Sequence, residues 1–283
     1  MIRAVSNIAW PPKQRYKAYR VLEQHGYSGL EIAPGLLFAG EPDVFSPSEQ
    51  AIERIRSDLT QYGLHLVSMQ SLLFGVENAE LFGRAAALDR FEAGMRRAIK
   101  LAGRLGISNL VFGSPKQRVI PNDLSRAEAE RHAVKVFCRL GDDALRAGTA
   151  VSLETNPAAY GTNFLTKTAE TVSFVQRIDH PAIKLNLDIG AMEMNGEPGT
   201  AAVLWDNAHL ISHVHVSTPN LAPAPRDLSL LTTILRQLRR KDYARAVSIE
   251  MLAPENPIET LRTRCAILSD LCDEVLGDDD NRA

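Results

Sequence analysis

Short runs rich in Val, Ile and Leu recur along the chain, and between them lie longer stretches whose apolar residues return every three or four positions. The short runs predict eight strands: RAVSNIA, SGLEIA, LHLVSM, NLVFG, AVSLET, IKLNLDI, ISHVHVS and AVSIEM. The longer stretches predict helices over 13–25, 47–62, 85–105, 125–147, 166–178, 200–208, 227–240 and 257–274. Caps mark several of their starts, among them Ser46 before Pro47, and Ser125 with Glu128 three residues on. The phrases QHGYSGLEI, QYGLHLVSM and LAGRLGISNLVF each carry a helix end through a glycine turn into a strand, so one βα unit repeats.

Eight such units in 283 residues predict an α/β protein, a single-domain (β/α)8 TIM barrel. The alternative, an open doubly wound sheet, would carry a G-x-G-x-x-G turn after its first strand, and the chain has none. No linker or low-complexity block divides the sequence. The expected bounds are 1–275 for the barrel and 276–283 for a frayed acidic tail.

Composition narrows the function class. With 45% hydrophobic residues, 23% charged residues and a net charge of −2, the chain reads as a well-packed soluble protein with no electrostatic footprint for nucleic acid. The basic run RQLRRKD, 236–242, ends an amphipathic helix and complements its dipole. No run approaches the ~20 apolar residues that cross a bilayer, so no membrane partner is expected. The opening MIRAVSNIAWPP lacks the features of a secretory signal, and the expected location is cytoplasmic. Cys138, Cys265 and Cys272 are odd in number, lie in helical patterns and show no metal or redox spacing, so they read as reduced packing residues.

The last four strands carry the candidate chemistry. Alternate residues of a barrel strand point inward. Sorting by alternation sends Val151, Leu153, Leu185, Leu187, Val214, Val216, Val247 and Ile249 outward against the helices. It leaves Ser152, Glu154 and Asn156, then Lys184, Asn186 and Asp188, then His213, His215 and Ser217, then Ser248 and Glu250 on the inside. Barrel interiors are normally branched and apolar, and unpaired buried charge is costly. The last inward ionisable or imidazole residues, Glu154, Asp188, His215 and Glu250, sit at the C-terminal strand ends, where barrel active sites form. Three converging carboxylates repel unless a cation lies between them, so the four read as ligands of one divalent metal ion. The competing reading is a salt-bridged inner layer, with Lys184 paired to a carboxylate and His213 hydrogen-bonded to a neighbour. An oxygen-rich set with one nitrogen suits Mn²⁺ or Mg²⁺ best, with Co²⁺ or Zn²⁺ as alternatives.

At these residues the chain also resembles the xylose isomerase-like TIM barrels, the sugar phosphate isomerase/epimerase group that includes ketose 3-epimerases and inosose dehydratases. The likeness runs from YSGLEIAP through SMQSLLFG, VFGSPKQR, SLETNP and LNLDIGAM to HVHVSTPNLAP and VSIEM. It implies the same four ligands, an acid/base pair in Glu154 and Glu250, and a place near substrate for Glu31 on the second strand. It further implies a small-molecule sugar as partner and a homo-dimer or homo-tetramer. Two departures stand out. Ala191 and Leu221 occupy places where ketose 3-epimerases have a His and an Arg that contact the sugar, so substrate recognition must differ. The endonuclease IV branch builds a three-zinc site from many histidines, and this chain has seven, two of them, His25 and His132, in helical patterns.

The chemistry then expected is removal of a proton beside a sugar carbonyl to give a metal-stabilised enediolate, leading to epimerisation or isomerisation. A dehydratase of a cyclic polyol shares the first step, and a non-catalytic sugar-binding barrel is the third reading. Further candidate substrate contacts are Asn156 on the fifth strand end, Trp10 past the first strand as a stacking surface, and Lys116, Arg118 and Arg226 as holders of a phosphate or carboxylate. The Leu- and Phe-rich loops after the second and third strands are candidates to close over the mouth.

Overall fold

A computed structural model describes residues 1–277. Eight parallel strands close into a barrel in sequence order: β1 (Ile2–Ser6), β2 (Gly29–Ile32), β3 (His65–Met69), β4 (Asn109–Phe112), β5 (Ala150–Glu154), β6 (Ile183–Asp188), β7 (Ile211–Val216) and β8 (Ala246–Ile249), with β8 pairing back onto β1. The helices are α1 (Arg15–Gln24), α2 (Pro34–Leu37), α3 (Glu49–Gln61), α4 (Ala85–Leu105), α5 (Arg126–Arg146), α6 (Thr168–Ile178), α7 (Ile189–Asn195), α8 (Ala202–Trp205), α9 (Leu228–Arg240) and α10 (Pro257–Gly277). The last of these runs two residues past the expected end of the barrel, and the rest of the acidic tail, 278–283, lies outside the described residues.

Every strand residue assigned outward by alternation in β5 to β8 is 0–1% exposed and belongs to the core between strands and helices. Aromatic rings fill that layer on one side. Phe112 of β4 meets Phe91 of α4 and Phe137 of α5 edge-on, each with centroids 5.5 Å apart. The three cysteines are free, and Cys265 and Cys272 are buried, consistent with packing. Among the described residues no helix is long and apolar enough to cross a membrane.

One local expectation is corrected. Helix α3 is capped by Ser48, whose hydroxyl accepts from the Ala51 amide at 3.3 Å, and not by Ser46. Pro47 therefore lies ahead of the helix, and the first turn opens on Glu49. By contrast, the Ser125–Glu128 pair forms the reciprocal capping box at the start of α5. Ser212 departs from strict alternation along β7. The β6–β7 pairing passes from Leu185 opposite Ile211 to Asn186 opposite His213, leaving Ser212 as the extra residue of a bulge. Its hydroxyl donates to Asn109 Oδ1 of β4 at 2.8 Å, deep in the barrel.

Candidate metal centre

The inner faces of β5 to β8 meet at the C-terminal mouth of the barrel. Glu154 ends β5, Asp188 ends β6, His215 lies one residue from the end of β7, and Glu250 follows β8. His215 Nδ1 stands 3.0 Å from Glu154 Oε1, 3.2 Å from Glu250 Oε2 and 3.6 Å from Asp188 Oδ2. One donor atom from each of the four residues falls within 4.8 Å of the other three. Donors about 2.1 Å from a six-coordinate ion stand about 3–4 Å from one another, so a hard divalent ion fits this set with small adjustments. The competing salt-bridged layer is present only in part. Lys184 is half-buried, with Arg245 as its charged neighbour and no carboxylate paired to it among the described residues, while His213 does bond to a neighbour, Glu31.

Two of the three carboxylates are held from behind. Glu154 Oε1 accepts from Asn186 Nδ2 at 2.7 Å, and Oε2 from Asn156 Nδ2 at 2.9 Å. Asp188 divides its oxygens: Oδ1 accepts the Ala191 amide at 2.5 Å, capping α7, and the Ser217 hydroxyl at 2.9 Å, while Oδ2 faces His215. Glu250 meets only His215 among the described side chains. Gly113, after β4, leaves space for Glu154, because a Cβ there would stand 2.5 Å from Oε2.

The electrostatics follow from burial of like charges. Burial raises Glu250, and the Glu154 and Asp188 charges add to the rise against the opposing effect of His215, pushing its pKa up to about 7. Asp188 is raised, by burial first, with the Glu154 charge adding to it. Burial also acts to raise Glu154, but the hydrogen bond and charge of His215, the Asn156 bond and the Arg118 charge hold it below the usual carboxylate range. Burial alone would lower His215, yet the Glu250 and Glu31 charges and bonds from Asp188 and Glu154 keep it well above its ordinary value.

A cavity opens above the cluster in two lobes that share Glu154 and Glu250. The larger, of about 430 Å³, is walled by Pro115, Tyr160, Thr218, Asn220 and Leu221 beside the cluster. The smaller, of about 260 Å³, is walled by Gln70, Ser71, Val111, Gly113 and Ser114. Asn156 lines the larger lobe.

The other candidate contacts lie elsewhere. Glu31 is fully buried beneath the cluster, where its carboxylate meets His213 and His215, and it does not reach either lobe. Trp10 is 2% exposed and packs edge-on against Tyr19, which leaves no face for a sugar. Lys116 is exposed outside both linings, and Arg226 pairs with Glu193 on the surface at 2.7 Å. Arg118 is fully buried, near the Phe112 ring and the Glu154 charge, and none of its three nitrogens is hydrogen-bonded among the described residues. Burial pushes its pKa down to about 10 despite the Glu154 charge. The loop after β3 splits likewise: Gln70 and Ser71 reach the smaller lobe, whereas Leu72 and Leu73 are packing residues.

Asn186, Ser217 and Tyr160 also serve the site. Asn186 and Ser217 were legible as inward positions, but nothing in their spacing showed that they brace Glu154 and Asp188. Tyr160 comes from a short turn after β5, and its hydroxyl accepts the Asn220 amide at 2.9 Å, tying two mouth loops together.

A family model, the xylose isomerase-like TIM barrel, matches residues 19–271. The chain belongs to that family. No curated protein matches it. Among solved structures it is similar to a D-psicose 3-epimerase from Clostridium cellulolyticum H10 bound to D-tagatose, at 17% identity and TM-score 0.76, over 98% of this chain and 99% of that one. An L-ribulose 3-epimerase aligns at 14% identity and TM-score 0.79, over 100% and 98% of the two chains. A 3-keto-D-glucoside 4-epimerase from E. coli aligns at 18% identity and TM-score 0.71, over 95% and 99%. At these identities the likeness speaks to the family's barrel and its closed eight-strand architecture.

Proposed function

We propose that the chain is a divalent-metal-dependent isomerase or epimerase of a small sugar or sugar derivative. The observation that carries this reading is the placement of Glu154 and Glu250, which belong to the four-residue cluster and border both lobes of the cavity. Similar folds named as psicose and ribulose 3-epimerases support the reaction class.

One glutamate takes the proton from the carbon beside the sugar carbonyl, and the other gives a proton back. Return to the opposite face of the same carbon yields the epimer, and return to the neighbouring carbon yields the isomer. The total protonation of the pair is unchanged over the cycle. Asn186 and Asn156 fix Glu154 in direction, while among the described side chains Glu250 meets only His215 and so carries fewer restraints on its proton. Glu154, Asp188, His215 and Glu250 would hold the ion, Mn²⁺ or Mg²⁺ before Co²⁺ or Zn²⁺ for this donor set. When bound, that ion supplies a Lewis acid that polarises the carbonyl and steadies the negative charge left by proton loss.

The test is incubation of the protein with Mn²⁺ and a panel of ketopentoses and ketohexoses in D₂O, followed by proton NMR. The expected result is deuterium uptake at one carbon together with a new stereoisomer or positional isomer. Loss of water from the sugar would assign a dehydratase instead, and ligand-induced stabilisation without exchange a binding barrel.

A further inference from the structure

Below the four-residue cluster lies a second buried layer made by Glu31, His213 and His215, which are 0%, 0% and 1% exposed. The Glu31 carboxylate brackets His215 Nε2, with Oε1 at 3.0 Å and Oε2 at 3.1 Å, and Oε2 lies 2.7 Å from His213 Nε2. The two imidazoles stand nearly perpendicular, at 86°. His213 follows the bulge at Ser212 in β7, whereas the register shift beside Glu31 takes its extra residue, Val67, from β3. Bulges re-aim side chains in this way.

We propose that Glu31 is a positioning residue that sets the tautomer of His215, so that this histidine offers Nδ1 to the ion. The inference rests on reading the upper cluster as a metal centre. An ionised carboxylate only accepts hydrogen bonds, so each imidazole nitrogen facing Glu31 must carry a proton. Without an ion, Nδ1 also faces carboxylates, of Glu154, Asp188 and Glu250, and carries a proton of its own; with Nε2–H committed downward, that Nδ1 proton is the one an ion would displace, so the lone pair offered to it is on Nδ1. His213 has a separate task. Its Nε2–H fixes the rotation of the Glu31 carboxylate, and it stands outside the four residues whose donors converge in the upper site. A carboxylate behind a metal-bound imidazole both orients the ring and strengthens it as a donor.

The test combines calorimetric titration of wild type and Glu31→Gln with Mn²⁺ and ¹⁵N spectra of the histidine rings in the Mg²⁺-loaded proteins. The expected outcome is an affinity about 10–100-fold weaker in Glu31→Gln. In wild type, the His215 ring should show a proton on Nε2 and none on Nδ1. A merely structural role for Glu31 would lower the unfolding temperature without altering which ring nitrogen bears the proton. Equal affinities in the two proteins, or a wild-type ring with the proton on Nδ1, would overturn the proposal while leaving the metal centre standing. Absence of any Mn²⁺ or Mg²⁺ uptake by wild type would remove the metal centre itself and the proposal with it. Should Glu31→Gln fail to fold, the wild-type ring spectrum alone decides.

Discussion

The two halves of the barrel wall solve the problem of a polar interior differently. In β1 to β4 the inward polar residues are mostly neutral and bond to one another: Gln70 to Ser6 at 2.8 Å, and Asn109 to Ser68 at 3.0 Å. In β5 to β8 three carboxylates and an imidazole converge, and the hydrogen bonds reaching them hold direction without cancelling charge. Neutral pairs suffice to satisfy buried groups, as in the first half. Converging like charges repel one another unless a cation lies between them, and their concentration in one half is what the proposed metal centre rests on. Glu31 is the exception that joins the halves, a charge from β2 spent on histidines of β7.

The largest effect should come from the charged half. Glu154→Gln or Glu250→Gln is expected to slow substrate hydrogen exchange with D₂O by about 10²–10⁴-fold, the usual worth of an acid/base group, with the fold intact by circular dichroism. Asp188→Asn and His215→Ala should weaken Mn²⁺ binding in calorimetry beyond the ~100-fold upper bound for an outer partner such as Glu31. Next, Gly113→Ala should displace the Glu154 carboxylate, whose Oε2 would lie 2.5 Å from the new Cβ. A misplacement on the ångström scale costs about 100-fold in turnover, to be read in kcat with little change in unfolding temperature.

The same contrast is exposed by pH. Glu250 titrates near 7 in the folded protein, against 4.5 as its ordinary value, so the folded state binds a proton more tightly than the unfolded chain. The stability this confers is complete below about 4.5 and is lost as pH rises through about 7. The metal-free protein should therefore lose unfolding temperature between about pH 5 and 8, and saturating Mn²⁺ should restore it by replacing the proton, with about 2.7 kcal/mol expected at one hundred times the dissociation constant. The smallest effect belongs to the neutral half. Ser68→Ala, which removes one buried hydrogen bond to Asn109, should cost about 1–3 kcal/mol in denaturant unfolding and leave Mn²⁺ affinity unchanged.

Legibility differed with the kind of information each feature requires. The eight strands, most helix spans and the residues ending β5 to β8 follow from period and order, because alternation assigns a face and a barrel places each strand end at one mouth. Depth and direction do not follow. Glu31 shares its inward face with mouth residues of other strands, yet the stagger of β2 sets it one layer lower. Arg118 and Arg226 look alike as loop cations, but one is wholly buried and the other pairs with Glu193 at the surface. Ser212 entered the interior through a bulge that shifts register by one residue, a two-strand property invisible in either strand alone.

By itself the sequence determined the barrel, the wall on which acidic groups gather and the four residues that meet there, since local periodicity and strand order depend on neighbours along the chain. Tertiary structure alone decided which oxygen of Asp188 is used up by Ala191 and Ser217, which nitrogen of His215 faces Glu31, and that Glu154 and Glu250 border both lobes of the cavity. Those choices depend on distances between atoms brought together from separate strands, and such distances exist only after closure of the sheet.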